Sequence, residues 1–483
     1  MDSQFLLSRR AQATTEALEQ FGFRAVQNAF APRVDGQTIL DLSVAENWCI
    51  RSEIISLFQD AVLTGLNDRL LSYSNSYFGD TELIEALASF FNQYFRPCRP
   101  VETAHVAIGP GSSACLDALM HHICDPGEGV LVPAPFWNGF DFHFTIRARV
   151  QLIEAHVATL HNWTDPDGLI TALTRAFDKS PCRIRALVIT NPGNPLGECY
   201  SQETLRRCAQ FCQQRNLQLV CDELYALSCF RHDILKPNSF HSILSMDLES
   251  CGVDASRIHT VWSLSKDFGC SGLRMGCIVS QANPTLLLGL RLPMSSQVSS
   301  LTALCTTSLL TSAKLPQLIQ FNSERLLDCY RLLTDFLDSR RIEYVPATAG
   351  LFVFARLMPT AKSWDDEAKL KQSLQKKGLL VSPGKLYHLT SGQKGWFRLT
   401  FAIPKDQLTE AVAILARCVY MRRRLLSTPS KRKRQSARLA KRKHSEVEDN
   451  MELGAPDQVS NGGDADIFIS VTDKGRANSL DGA

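Results

Sequence analysis

The sequence predicts an α/β fold in which a mainly parallel sheet is covered by helices and followed by a smaller α+β domain. Two observations lead to this prediction. First, short apolar segments such as "GVLVPAP" and "IRALVIT" alternate with amphipathic segments. Strands that are apolar throughout are typical of parallel sheets with both faces buried. Second, residues 310–420 carry long helical patterns and then two more apolar segments, "GLFVFARL" and "WFRLTFAI".

The individual elements follow in chain order. Residues 80–96 carry apolar side chains at helical spacing and predict a helix. The segment "HVAIGPG" predicts a strand that breaks into a glycine turn, and "SACLDALMHHIC" predicts the helix after it. Ser201 lies where an N-cap is expected, directly before the amphipathic segment "QETLRRCAQFCQQ". Further strands are predicted at "VQLIEA", "LQLVCDELY" and "IHTVWSLSK".

Composition divides the chain into four parts. We assign residues 1–60 to an N-terminal arm and part of the small domain, 61–305 to the large domain, and 306–425 to the small domain. Residues 426–483 form a tail in which a basic run precedes an acidic, glycine-rich stretch, a composition typical of disorder. The tail is either a solvating extension or a nuclear-localisation-like cluster that binds an import receptor or a polyanion.

Charge and cysteine content exclude several classes of protein. The net charge of +3 comes from the tail, so the body shows no basic surface of the kind that binds nucleic acid. No run of about 18 apolar residues predicts a membrane span, and the N-terminus lacks the apolar stretch of a signal peptide. The 16 cysteines are scattered. We therefore expect a cytoplasmic protein with reduced thiols and no metal site.

One lysine, Lys266, lies in the segment "VWSLSKDFGCSGLRMG". A lysine after an apolar strand is usually solvent-exposed, but its neighbours here indicate another role. Ser263 offers a hydroxyl, and Arg274 offers a planar guanidinium suited to phosphate. Glycines between them let the backbone approach a ligand closely. An amine in such a pocket is typical of a lysine that bonds covalently to a phosphorylated cofactor.

Other polar or aromatic residues follow predicted strands. Ser112 and Ser113 in "GPGSSAC" open a helix whose free N–H groups suit phosphate, although such residues are also common helix caps. Asp222 and Tyr225 follow a buried strand, at the sheet edge where parallel folds bind ligands. Trp137 in "PFWNGFD" either lies against an aromatic ring or packs in the core.

Two further residues take their meaning from the rest of the pattern. Asn194 in "TNPGNPLG" is by itself an ordinary turn residue. Arg398 in "GWFRLTFA" lies on a predicted strand of the smaller domain. Such an arginine is usually exposed, but in a cleft it would bind a carboxylate through both terminal nitrogens.

Taken in order, these segments resemble the pyridoxal-phosphate enzymes of the aspartate-aminotransferase fold type, and among them the branch that contains the 1-aminocyclopropane-1-carboxylate synthases. The resemblance covers roughly residues 40–420 and rests on "VAENWC", "YFGDTELIEAL", "GPGSSACLDAL", "VITNPGNPLG", "CDELYA", "SLSKDFGCSGLRMG", "AGLFVF" and "GWFRLTFA". It implies that the α/β fold is fold type I, that pyridoxal 5'-phosphate is the cofactor, and that the substrate is a small molecule, an amino acid.

The resemblance also implies a role for each residue that faces the cofactor ring. Lys266 would bond covalently to the cofactor aldehyde and would later move the α-proton of the substrate. Asp222 would pair with the pyridinium nitrogen. Trp137 would stack on the ring, while Tyr225 and Asn194 would bind the ring hydroxyl.

The remaining roles concern the phosphate and the substrate. The phosphate would be held by four residues of one chain: Ser112, Ser113, Ser263 and Arg274. Tyr77 would reach the phosphate in the neighbouring subunit, which implies a homodimer with shared active sites. Arg398 would bind the substrate α-carboxylate. Glu46 matches the acidic residue that lies near the substrate in the synthases.

The same cofactor serves several reactions, so three functions stay open. The first is an aminotransferase or a carbon–sulfur lyase of specialised metabolism, as found in fungal biosynthetic clusters. The second is a true 1-aminocyclopropane-1-carboxylate synthase acting on S-adenosylmethionine. Phe78 and Phe142 stand where the plant synthase pattern has His and basic residues, which favours a less polar substrate. The third is a catalytically reduced binding or regulatory protein.

Overall fold

The computed structural model describes residues 8–20, 39–74, 76–230 and 240–427. Residues 428–483, which hold most of the predicted tail and its basic run, lie outside the described residues. The helices are α1 Arg9–Gln20, α2 Arg51–Gly65, α3 Thr81–Tyr94, α4 Ser112–Ile123, α5 Phe140–His143, α6 Pro166–Asp178, α7 Gln202–Gln214, α8 Leu264–Asp267, α9 Pro284–Ser295, α10 Ser300–Leu310, α11 Leu315–Ser339, α12 Trp364–Gln375 and α13 Lys405–Ser427.

The strands lie within the first of two compact units, residues 1–422; the described part of the second unit, residues 423–483, is the end of α13. The strands are β1 Leu40–Asp41, β2 Val106–Gly109, β3 Gly129–Ala134, β4 Gln151–His156, β5 Ile184–Thr190, β6 Gln218–Asp222, β7 Ile258–Ser263, β8 Gly276–Val279, β9 Tyr344–Val345, β10 Phe352–Ala355, β11 Leu379–Leu380, β12 Ser382–Pro383 and β13 Phe397–Thr400.

Seven strands form the central sheet in the order β2-β8-β7-β6-β5-β3-β4. Strands β3 to β7 run parallel, and β8 runs antiparallel between β2 and β7. Along β5, Leu187 and Ile189 enter one core, whereas Ala186 and Val188 enter the other. Alternate residues of a strand point to opposite faces, so both faces are buried. The predicted α/β fold with a mainly parallel sheet is confirmed.

A smaller antiparallel sheet has the order β12-β13-β10-β9. Its strands β10 and β13 are the two segments that the sequence predicted, and their side chains pack into a third core with α11 and α13. The segment that leads from the N-terminus joins this part, because Leu40 pairs in parallel with Leu379.

The segment "IHTVWSLSK" differs from the predicted strand. Strand β7 ends at Ser263, and a single helical turn, α8, begins at once. The Ser263 hydroxyl accepts a hydrogen bond from the Ser265 amide at 3.2 Å and so caps this turn. Lys266 therefore lies on a helical turn at the sheet edge rather than on a strand. Among the described residues, no helix is long and apolar enough to cross a membrane, and no cluster of three or more His, Cys, Asp or Glu could hold a metal.

Candidate active site

A cavity of about 1090 Å³ opens where the central strands end. Its walls come from the segments that follow β2, β3, β5, β6 and β7, together with residues of the small sheet. The carboxyl ends of parallel strands are where open α/β folds bind ligands. Nine of the predicted site residues line this one cavity: Ser112, Ser113, Trp137, Asn194, Asp222, Tyr225, Lys266, Arg274 and Arg398.

The amine of Lys266 points into this cavity from the helical turn α8. Its Nζ donates a hydrogen bond to the Ala45 carbonyl oxygen at 2.7 Å. Burial and, next, the positive charge of Arg398 lower the pKa of Lys266 to about 8. An amine with such a pKa loses its proton readily, which suits a nucleophile and a base.

Asp222 ends strand β6 and is 2% exposed. One of its oxygens, Oδ1, is buried and has no hydrogen-bond partner among the described residues. Thr190, which pairs with Asp222 in the sheet, also has a buried Oγ1 without a hydrogen-bond partner in the described structure. Burial raises the pKa of Asp222 to about 7. Since a buried carboxylate oxygen without a hydrogen-bond partner is costly, this end of the cavity fits a ligand that offers an N–H, such as a protonated ring nitrogen.

A place for an anion lies directly before α4. Gly111 precedes the helix with φ +91°, and the first turn has no side-chain cap in its described surroundings. Arg274 lies between α8 and β8, and its Nη2 donates a hydrogen bond to the Pro110 carbonyl oxygen at 3.2 Å. A Cβ on Gly111 would collide with this guanidinium and displace it, and the positive φ also favours glycine here. Free helix N–H groups beside a guanidinium fit a phosphate.

Arg398 lies on β13 and is 5% exposed. Nη1 donates to Asn194 Oδ1 at 3.0 Å, and Nη2 donates to the Ser43 carbonyl at 2.6 Å. The guanidinium lies 5.0 Å from the Phe352 ring centroid and 5.3 Å from that of Tyr387. These contacts fix its plane, while Nε is buried without a partner in the described structure. A fixed guanidinium with unused donor capacity suits a carboxylate.

Two residues complete the wall around the expected ring. Asn194 Nδ2 donates to the Tyr225 hydroxyl at 3.5 Å, and burial raises the pKa of Tyr225. Trp137 is half-buried and is braced by Phe140 and His143, each with its ring centroid 5.6 Å away. The indole therefore has one side packed and another facing the cavity.

Three predicted site residues do not line the cavity in the described chain. The Ser263 hydroxyl is fully buried and caps α8, whereas its neighbour Ser265 reaches the cavity. The Glu46 carboxylate accepts from Ser271 Oγ at 2.9 Å and from Arg51 Nη2 at 3.0 Å. Tyr77 is 90% exposed on the outer surface. Their proposed roles stay predictions.

The two aromatic residues that distinguish this sequence from the plant synthase pattern lie away from the cavity walls that the described part of this chain provides. Phe78 and Phe142 are not among its lining residues. Phe78 instead lies under the Arg291 guanidinium, 5.3 Å from ring centroid to charge. Apolar side chains reach the cavity from β11, from the link to β12 and from the following turn, as Leu380, Val381 and Leu386.

Sequence reasoning missed other lining residues, above all Thr190 and Tyr387. Thr190 could have been predicted, because it ends a buried parallel strand, and the same signal identified Asp222. Tyr387 had no local signal, because it reaches the cavity from a turn, Gly384–Tyr387, that lies far along the chain from the strands.

This arrangement fits the site of a fold type I pyridoxal-phosphate enzyme, because Lys266 can bond to an aldehyde while Asp222 and the N-terminus of α4 meet the two ends of the cofactor. Comparison with known families agrees. Residues 51–415 match the model of the family described as aminotransferase class I and II. The chain belongs to this family, whose members depend on pyridoxal 5'-phosphate.

Relatives are found in fungi and in a mammal. The chain is 44% identical over 408 residues to the probable aminotransferase aclI of Aspergillus oryzae, covering 84% of this chain and 96% of the relative. It is 46% identical over 374 residues to the trimodular acetylaranotin synthesis protein ataIMG of Aspergillus terreus, covering 77% and 38%. It is also 31% identical to a probable inactive 1-aminocyclopropane-1-carboxylate synthase-like protein 2 of Mus musculus, covering 75% and 63%.

Solved structures show the same fold. An aspartate aminotransferase of Thermus thermophilus superposes with a TM-score of 0.67 at 22% identity, covering 86% of this chain and 100% of that one. The aromatic aminotransferase of Pyrococcus horikoshii superposes with a TM-score of 0.69 at 18% identity, covering 85% and 100%. The predicted resemblance to fold type I enzymes is thereby confirmed.

Proposed function

We propose that this protein is an aminotransferase of specialised metabolism that removes the α-proton of an amino acid and passes its amino group to a keto acid. The observation that carries the proposal is that Arg398, Lys266 and the partner-free Oδ1 of Asp222 face one cavity among the described residues. The printed names of the fungal relatives, which include aminotransferases and an acetylaranotin synthesis protein, support it.

Each residue contributes a definable step. Arg398 binds the α-carboxylate through the donor capacity that the protein leaves unused, which orients the α-carbon. Lys266, whose pKa is lowered to about 8, accepts the α-proton and returns it. Bound pyridoxal phosphate supplies an electron sink for the charge left at the α-carbon. Asp222 supplies a negative charge at the buried end of the cavity, where it would balance a protonated ring nitrogen.

Carbon–sulfur cleavage is the second candidate function. Leu380, Val381 and Leu386 give the cavity an apolar lining that suits a thioether side chain. The two reactions share removal of the α-proton and differ afterwards. Cleavage of a cysteine conjugate with water yields a thiol, pyruvate and ammonia, whereas transfer yields a keto acid and a new amino acid.

A product assay tests the proposed function. Cofactor-loaded enzyme is incubated with a panel of L-amino acids plus a keto acid, with S-benzyl-cysteine alone, and with S-adenosylmethionine alone. We expect a new amino acid in the first set and little or no 1-aminocyclopropane-1-carboxylate in the last. Mass spectrometry identifies each product.

Each other outcome of the assay contradicts the proposal in a distinct way. A thiol with pyruvate and ammonia, and no transfer, makes the protein a lyase. Stoichiometric cyclopropane product and methylthioadenosine make it a synthase. No turnover of any compound places it with the catalytically reduced proteins.

We also propose that the enzyme is a homodimer with shared sites. Large apolar side chains are exposed together on α2 and the segment after it: Leu63, Leu66, Leu71, Tyr73, Tyr77 and Phe78. Such an exposed patch is typical of a protein interface. A second copy is the expected occupant, since fold type I aminotransferases are typically dimers.

Co-expression of Tyr77→Ala with Lys266→Ala tests the shared site, with each variant alone as the baseline. In a mixed dimer of Tyr77→Ala and Lys266→Ala, one site carries both defects and the other carries neither. Because half of randomly formed dimers are mixed, about a quarter of the wild-type activity should return. Activity no greater than that of the separate variants would show that Tyr77 does not serve the partner's site.

A further inference from the structure

One histidine joins the small sheet region to the central sheet at the cavity rim. His388 follows the turn Gly384–Tyr387. Its Nδ1 lies 2.8 Å from Glu154 Oε1 on β4, and its Nε2 lies 3.1 Å from Asp141 Oδ2 on α5. Its ring stacks on Phe136, with centroids 4.1 Å apart and planes inclined by 13°. Three elements of the large domain therefore hold this side chain.

The geometry requires a charged imidazole. An ionised carboxylate only accepts hydrogen bonds, and a neutral imidazole donates only one, so two carboxylate partners need the doubly protonated ring. Burial lowers the pKa of His388, but the hydrogen bonds to Asp141 and Glu154 outweigh it and raise the pKa to about 9. The hydrogen bonds from His156 and His388 lower the pKa of Glu154 to about 2.

The turn that His388 ends carries part of the substrate site. Leu386 and Tyr387 both line the cavity. The Tyr387 ring covers the Arg398 guanidinium, and its hydroxyl donates to Ser382 Oγ at 2.7 Å. Ser382 is in turn the register partner of Arg398 across β12 and β13. The position of the turn thus decides how far Arg398 is shielded from water.

We propose that charged His388 is a positioning residue, which fastens residues 384–388 to the large domain and keeps Tyr387 over Arg398. The proposal rests on the proposed function only where it assigns the substrate carboxylate to Arg398. Shielding a guanidinium from water strengthens its attraction for a carboxylate, because the local dielectric constant falls. Loss of the fastening therefore weakens substrate binding more than it slows the chemical step.

The stabilisation from the hydrogen bonds of charged His388 depends on pH. The groups that face His388 are Asp141 and Glu154, with His156 on the second oxygen of Glu154 at 2.8 Å. The pKa of His388 is raised from an ordinary 6.5 to about 9 in the folded protein. The stabilisation is therefore complete below the ordinary value and is lost as pH rises through about 9.

The first test compares hydrogen exchange in full-length, cofactor-loaded proteins at pH 7.5. His388→Asn removes the ring, and asparagine tolerates the left-handed backbone that His388 adopts at φ +59°. We expect the peptide covering residues 384–388 to exchange roughly tenfold faster than in the wild type. The matched control is His156→Gln, which removes the other histidine on Glu154 and should exchange as the wild type does.

The second test uses the amino acid that shows the highest turnover. His388→Asn should raise its KM about tenfold with kcat changed less than threefold. The wild-type KM should rise towards the variant's as pH passes 9. Comparing proteins at one pH cancels the titrations of Lys266 and of the substrate amine. His388→Arg, which keeps the charge, should restore a low KM and remove the alkaline rise.

The proposal is overturned if the peptide covering residues 384–388 exchanges at the wild-type rate in His388→Asn. It is also overturned if His156→Gln accelerates exchange equally, because the effect would then belong to Glu154 alone. Faster exchange with an unchanged KM also overturns it, since the turn would not govern Arg398. The exchange comparison needs no turnover, so failure of the proposed function is seen separately, in the product assay.

Discussion

Replacement of Lys266 by alanine should lower turnover by roughly 10³-fold or more while the protein still folds and holds some cofactor. General acid–base catalysis contributes roughly 10²–10⁴-fold, and this lysine also supplies the nucleophilic amine. The cradle at Gly111 and Arg274 is independent of the amine, so non-covalent cofactor binding should persist. Steady-state rates and the absorbance of the bound cofactor measure the two effects separately.

The control for this variant is Lys314→Ala, which removes an exposed lysine at the start of α11. It should behave as the wild type. A small primary amine added to Lys266→Ala should restore part of the turnover, because it can move the proton from the vacated volume. Normal turnover in Lys266→Ala would remove this residue from the reaction.

Replacement of Arg398 by lysine should weaken amino-acid binding by about 1–3 kcal/mol, the scale of a charge-assisted hydrogen bond. Lysine keeps the charge, but it cannot contact Asn194 and the Ser43 carbonyl and still present a planar fork to a carboxylate. The effect should appear in KM, and cofactor affinity should change little. Titration of each ligand into the purified variant separates the two affinities.

A conservative exchange on the surface provides the comparison for Arg398. Arg147 pairs with Asp117 at 2.6 Å and is about half-exposed. Arg147→Lys should leave both affinities unchanged, because lysine keeps the charge opposite Asp117 and Arg147 is not among the residues that line the cavity. If Arg398→Lys binds every tested amino acid as tightly as the wild type does, the carboxylate binds elsewhere.

The central sheet could be predicted because its strands are apolar on both faces. In β5, side chains such as Leu187 and Val188 enter opposite cores, which leaves an uninterrupted apolar run in the sequence. The residues that end these strands were predictable for the same reason. Asp222, Lys266 and Ser112 follow strand signals directly, and parallel strands bring their carboxyl ends to one edge.

Contacts between distant segments could not be predicted. His388 reaches Asp141 and Glu154 only after the small sheet has packed against the central one. Tyr387 reaches Arg398 only once β12 has paired with β13. The Ser263 hydroxyl caps a helical turn, and the apolar strand pattern before it did not predict that turn. Exposure of Phe78 follows from the path of the chain after α2 rather than from its own type.

The central claim is that Lys266 holds pyridoxal phosphate covalently in the cavity between Asp222 and the cradle at Gly111. Borohydride reduction of the cofactor-loaded protein, followed by peptide mass spectrometry, tests it most directly. We predict a single pyridoxyl-phosphate adduct on the peptide that contains Lys266, with loss of the cofactor's visible absorbance. An adduct spread over other lysines, with Lys266 unmodified, would contradict the account.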